Sequence, residues 1–157
     1  FAGMTSGVWQ LRPESKGYVR ARSADPDVAP LIQPNYLAAE TDRRAMIDGL
    51  KWCRRFLATE ALQPYFDGET MPGDRVTSDD EILDYARSRG ATVYHAVSSC
   101  RMGVDPMAVV DDRLRVKGIA SLRVIDASVM PTMPSANTNA ATMMIAEKGA
   151  DLLLARN

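Results

Sequence analysis

One histidine occurs in the 157 residues, His95, and it closes the β-prone run Ala91-Thr92-Val93-Tyr94. Small polar residues, Ser98 and Ser99, follow it. An imidazole titrates near neutrality and can carry a proton at working pH. The two serines stand too close in sequence to complete an ordinary Ser-His triad, and no G-x-S-x-G motif is present. A base without a covalent nucleophile points to proton abstraction. The plainer alternative is that a lone histidine is structural or faces solvent.

The second stretch with chemical content is Leu122 to Leu154. Leu122, Val124 and Ile125 predict a short strand ending at Asp126. Pro131 and Pro134 then exclude regular hydrogen-bonded structure, because each lacks an N–H and has a fixed φ. Asn137 and Asn139 stand where a helix begins, and Asn is a preferred N-cap. From Ala140 the spacing predicts a helix whose first turns are apolar nearly all round, and such a helix is buried. Its N–H groups and positive dipole end would face whatever the Pro-rich loop encloses. A wall for a polar or anionic ligand is one reading; a plain β–loop–α unit capped by Asn is the other.

Other reactive residue types carry less. Asp79, Asp80 and Glu81 follow Ser78 in a capping box, and acidic residues in a first helical turn are favoured by the dipole alone. Cys53 and Cys100 are the only cysteines. They make no disulfide framework and are read as reduced. With His95 they match no zinc spacing, so no metal site is expected. The glycines form neither G-x-x-x-x-G-K-[ST] nor G-x-G-x-x-G.

The positioning elements follow from periodicity and turn chemistry. Val8 to Leu11 is read as a strand end, and Tyr18 to Arg22 alternates like a half-exposed antiparallel strand. Ala29 to Pro34 is extended, with a proline at each end limiting it to an edge. Thr41 or Asp42 is expected to cap a long helix with Met46, Leu50, Cys53, Leu57 and Ala61 on one stripe. Trp52 and Phe56 widen that stripe and are read as core, and Pro64 is expected to end the helix. Asp67 to Pro72 is a loop. Ile82, Leu83 and Ala86 begin a short helix that Gly90 stops. Val109-Val110 and Leu114-Arg115-Val116 can form a hairpin through Asp111-Asp112.

Hydrophobic content of 46% and charged content of 25% are those of an ordinary globular chain, and a net charge of −1 gives no argument for nucleic acid. No apolar run approaches the roughly 20 residues of a spanning helix. Phe1 is not an initiator, and the chain is expected to begin inside a longer protein.

Read in order, the motifs resemble the carboxyl-terminal part of the glucose-methanol-choline (GMC) flavin oxidoreductases. The resemblance rests on Arg12-Pro13-Glu14-Ser15-Lys16-Gly17, Pro34-Asn35-Tyr36-Leu37, His95 to Gly103, Asp126-Ala127-Ser128 and Asn137 to Glu147. It spans essentially the whole chain and looks nearest to bacterial choline and alcohol dehydrogenases. It implies an α/β fold of which this chain is an α+β fragment: residues 1–104 as the end of an antiparallel-sheet substrate domain with helices. Residues 105–157 would return to add the last strand and helix of a Rossmann-like FAD domain.

The resemblance also implies site roles. His95 would be the catalytic base and Asn139 the second catalytic residue. Asp126, Ala127, Thr138, Asn139 and Ala140 would line the FAD. The substrate would be a small alcohol, and the electron acceptor a quinone, another carrier or oxygen; neither metal nor nucleic acid is implied. Ala96 stands where many members have Pro, and Ser98 where many have Gly. Two further readings are a hydroxynitrile-lyase-like member that does not reduce its FAD, and a cofactor-free fragment serving as a binding module. The expected location is cytoplasmic, with membrane association left open.

Overall fold

The computed structural model describes residues 3–155. It is a mixed arrangement of helices with one small antiparallel sheet. Two compact units are present: one holds the residues up to Gly17 together with Pro34–Ala91, the other Tyr18–Gln33 together with the residues from Thr92 onward.

In the first unit, α1 (Glu40–Leu57) and α2 (Asp79–Arg89) pack on each other. The expected capping box starts α2: Ser78 accepts from the Glu81 N–H, and the Glu81 carboxylate accepts from the Thr77 and Ser78 N–H groups at 2.9 Å. Those backbone bonds, Ser78 first, hold the Glu81 carboxyl below its ordinary range. Asp79 is drawn to α1 by Lys51 and by Arg44 at 2.6 Å, which lower its pKa in that order. Asp79 and Glu81 are therefore structural. Gly90 ends α2 as expected.

The start of α1 differs from expectation. Its N-cap is Ala39, with no side-chain cap. Asp42 lies inside the first turn, buried, and accepts from the backbone N–H groups of Glu14 (3.0 Å) and Ser15 (2.8 Å). The Arg12–Gly17 turn is thus pinned to the helix by a carboxylate rather than lying beside it. Burial alone would raise the Asp42 pKa, but the bonds from the Ser15 hydroxyl, the two backbone groups and Gln10 outweigh it and depress it. Two other expectations are corrected. The helix stops at Leu57, and Pro64 sits in a separate 3₁₀ turn, Gln63–Tyr65. Trp52 and Phe56 are exposed and stack on each other, rings 5.7 Å apart, while the buried apolar residue of the helix is Ile47. The loop from Asp67 is tied back by Arg54, which donates to Glu69 and to the carbonyls of Val76 and Gly73.

In the second unit, β1 (Tyr18–Arg20) pairs antiparallel with β2 (Leu31–Gln33), Val19 opposite Ile32. The core is Val110, Leu114, Val129, Met130 and Ile145, with Met102, Val124 and Ile125 packed against it. Val8 to Leu11, expected as a strand end, has no regular structure. The expected hairpin at Val109–Val116 survives as one antiparallel bridge, Val110 to Val116, closed by Asp111 accepting from the Arg113 and Arg115 N–H groups. The expected strand at Leu122–Ile125 is reduced to a bridge between Arg123 and Arg115 and the bond from Val124 N–H to the Leu114 carbonyl. No parallel strand lies beside it among the described residues, and a strand needs a partner to form a ladder. The last helix, α3, spans Asn139–Leu154. Expected to be buried nearly all round, it buries only Ile145 and Gly149, and leaves Met143, Met144, Leu153 and Leu154 in solvent. Among the described residues, no helix is long and apolar enough to cross a membrane.

Candidate active site

His95 does not lie on a strand. Tyr94 (φ 60°) and Ser98 (φ 70°) both occupy the left-handed region, which interrupts extension on either side of the histidine. The loop is instead held by bonds to the segment before α3. The Ser98 hydroxyl donates to the Met130 carbonyl (2.8 Å), Cys100 N–H to Ser128 (3.0 Å) and Met102 N–H to Val129 (2.8 Å). Ser98 thereby adopts a conformation natural to glycine, and its hydroxyl adds a tether that glycine lacks.

The opposing wall begins at Asp126, whose carboxylate accepts from the Ser128 N–H at 2.7 Å and sets the one-turn 3₁₀ helix Ala127–Val129. Val129 and Met130 are buried there, which fixes the Pro-containing loop to the core. Thr138 follows at the N-cap of α3, 8% exposed. Its carbonyl accepts from both the N–H and the hydroxyl of Thr142. Its own hydroxyl leaves the helix uncapped and lies 3.0 Å from Nδ1 of the half-buried His95. Nε2 of that ring has no hydrogen-bond partner among the described residues.

Of the residues singled out from sequence, the structure therefore joins His95 and Thr138 directly. Asn139 is the first residue of α3, exposed, with its amide donating to the Met143 sulfur at 3.7 Å rather than to the imidazole. Asn137, expected as a cap, is exposed in the loop; the cap position belongs to Thr138. Asp126 is exposed, Ala127 half-buried and Ala140 exposed. Sequence reading missed Ser98 as a tether and the Thr138 hydroxyl as the partner of His95. The positive φ of Ser98, a conformation natural to glycine, is visible only in the structure.

Further along the chain, Arg101 donates twice to Asp105 (2.8 and 2.6 Å), and its guanidinium holds that carboxyl far below the usual range. The Met107 N–H adds a third bond. Gly103 lies close inside this clasp: a Cβ there would stand 3.1 Å from Ala108, Arg101 and Asp105, tight contacts that small shifts of the neighbours would have to relieve. Among the described residues no group of His, Cys, Asp and Glu could hold a metal ion.

The residues present suit an anionic or polar cofactor at one point. The first turn of α3 has backbone N–H groups with no intrahelical partner and no side-chain cap, so Asn139 and Ala140 offer donors at the positive end of a helix. This is the donor chemistry that the electron-rich edge of a flavin would use.

The elements form a helix-rich arrangement with one small antiparallel sheet. The GMC oxidoreductase family model matches residues 13–146, and the chain belongs to that family. It is 45% identical over 152 residues to an alcohol dehydrogenase [acceptor] of Pseudomonas putida, covering 97% of this chain and 28% of the relative. It is 46% identical over 148 residues to the mitochondrial choline dehydrogenase of Homo sapiens, covering 93% and 25%. A formate oxidase variant of Aspergillus oryzae RIB40, solved to follow FAD modification, superposes with a TM-score of 0.84 at 32% identity, over 91% of this chain and 25% of that one. The chain thus spans about a quarter of the length of these relatives.

Proposed function

We propose that this chain is the carboxyl-terminal part of an FAD-dependent enzyme that oxidises an alcohol to an aldehyde or ketone. The observation that carries the reading is His95, held half-buried with Nδ1 engaged and Nε2 unpartnered, close to the uncapped start of α3. Family membership and the dehydrogenases it is similar to support the reaction class.

Each residue has a stated task. His95 Nε2 takes the hydroxyl proton of the substrate, and electron density returns to form the carbonyl as the α-carbon hydride leaves. FAD, when bound, supplies the acceptor for that hydride at N5. Asn139 contributes an oriented amide to the reacting oxygen, which requires its side chain to leave Met143. Asp126, Ala127 and the backbone of Thr138, Asn139 and Ala140 hold the cofactor. The segment from about residue 105 would complete a Rossmann-like FAD domain and the earlier part a substrate domain. The electron acceptor would be a quinone, another carrier or oxygen, and the location cytoplasmic.

The relatives do not favour the lyase-like or binding-module readings. Anaerobic addition of a primary alcohol or choline to the full-length protein tests the proposal. Loss of the oxidised flavin absorbance with release of aldehyde is the expected result. An unchanged flavin spectrum across a panel of alcohols would overturn it.

A further inference from the structure

We propose that Thr138 is the positioning residue for His95, its hydroxyl selecting the ring tautomer in which Nδ1 carries the hydrogen and Nε2 the free lone pair. The inference rests on the reading of His95 as the base. It goes beyond that reading in naming what makes the base competent.

Three observations carry it. First, Thr138 is buried, and its Oγ1 lies 3.0 Å from Nδ1, across a separation of 43 residues. Second, Thr138 stands at the N-cap of a 16-residue helix yet makes no cap bond. A threonine at that position ordinarily turns its oxygen to an N–H of the first turn. Here the backbone is in the right-handed helical region (φ −73°, ψ −11°), not the extended region of a capping residue, and the hydroxyl goes to the imidazole. Third, both partners are fixed independently: Thr138 by its carbonyl bonds to Thr142, and the His95 loop by Ser98, Cys100 and Met102 on residues 128–130.

The chemistry follows from the proton count. For Nε2 to accept a proton, the neutral ring must carry its hydrogen on Nδ1, which then donates to the Thr138 oxygen. After the transfer both nitrogens carry hydrogen, and the same Nδ1–H bond to Oγ1 persists. The partner does not reorganise during the step. With the opposite tautomer the hydroxyl would donate to Nδ1, and Nε2 would be blocked.

The test compares Thr138→Val, which keeps shape and loses the hydroxyl, with Thr138→Ser, which keeps the hydroxyl. Both are made in the full-length, flavin-loaded protein labelled with ¹⁵N-histidine, the His95 signals being assigned by their loss in His95→Gln. Expected are the Nδ1–H tautomer in wild type and Thr138→Ser, and a mixed or Nε2–H ring in Thr138→Val. Anaerobic flavin reduction at saturating alcohol should slow about tenfold in Thr138→Val with little change in KM, and recover in Thr138→Ser. An unaltered tautomer in Thr138→Val overturns the proposal, as does a Thr138→Ser protein as impaired as Thr138→Val. The base reading fails separately, by a His95→Gln protein that reduces its flavin at the wild-type rate; the tautomer comparison still decides the role of Thr138.

Discussion

Gly149 of α3 lies directly against Ile125: a Cβ at 149 would stand 2.3 Å from Ile125 Cγ2 and 3.0 Å from its Cδ1. This contact sets the distance at which the helix lies on the segment following Asp111–Arg123. Helix propensity alone favours Ala over Gly by roughly 1 kcal/mol. Overpacking opposes it, and Ile125 is β-branched with Cγ2 close to the backbone, so it cannot swing aside. Gly149→Ala is expected to destabilise the protein by about 1–3 kcal/mol. Thermal unfolding of the full-length protein checks this; a raised Tm would show that Ile125 relocates freely.

Asp42 gives a pH dependence whose sign is fixed by its depressed pKa. Its contribution is complete above the unfolded Asp value of about 3.9 and is lost as pH falls through the lower folded value. Asp42→Ala leaves the Glu14 and Ser15 N–H groups without their acceptor and is expected to cost about 1–3 kcal/mol near neutrality. The gap between wild type and variant should narrow on acidification below pH 4. Denaturant titrations at pH 7 and pH 3 measure it, and a gap that does not change with pH would count against the carboxylate's role.

The exposed Met143, Met144, Leu153 and Leu154 lie along one helix. Together they present apolar surface of the kind that drives association. The 157-residue chain expressed alone is expected to self-associate and to bind little FAD. Sedimentation and the flavin absorbance of the purified chain test this. A monomeric, yellow preparation would contradict it.

Asn139→Ala should slow flavin reduction in the full-length enzyme while leaving FAD content largely intact. A lost oriented donor at a reacting oxygen is worth roughly 2–4 kcal/mol. Asn137, exposed in the loop, should matter less. Rapid-mixing reduction of the two alanine variants ranks them, and a more damaging Asn137→Ala would reverse the assignment.

His95→Ala should lower the anaerobic rate of flavin reduction by roughly 10²–10⁴-fold with FAD still bound. Raising the pH should restore part of the rate, since substrate alkoxide then supplies the deprotonated form. Stopped-flow reduction between about pH 6 and 10 follows both effects. A variant that reduces its flavin at the wild-type rate at neutral pH would make His95 structural.

What the sequence determined by itself is what short-range bonding decides. The Ser78–Glu81 capping box and the end of α2 at Gly90 are set by neighbours a few residues apart, and the extended character of Tyr18–Arg20 and Leu31–Gln33 by their own residues; that these two strands pair is decided across 11 to 15 positions. The motif order sufficed for the family, because each motif is a local string. The tertiary structure decided the rest. Val93 and Leu122–Ile125 have strand propensity, but propensity becomes a ladder only where another strand supplies partners. Trp52 and Phe56 keep helical spacing, but spacing does not say what lies opposite, and here they face solvent. Asp42 reads as a cap until the Glu14–Ser15 turn folds onto it. The contact of the Thr138 hydroxyl with His95 spans 43 residues and depends on how the His95 loop is anchored to residues 128–130 and Thr138 to Thr142. A bond of that kind is a property of the path of the chain, and no local pattern encodes it.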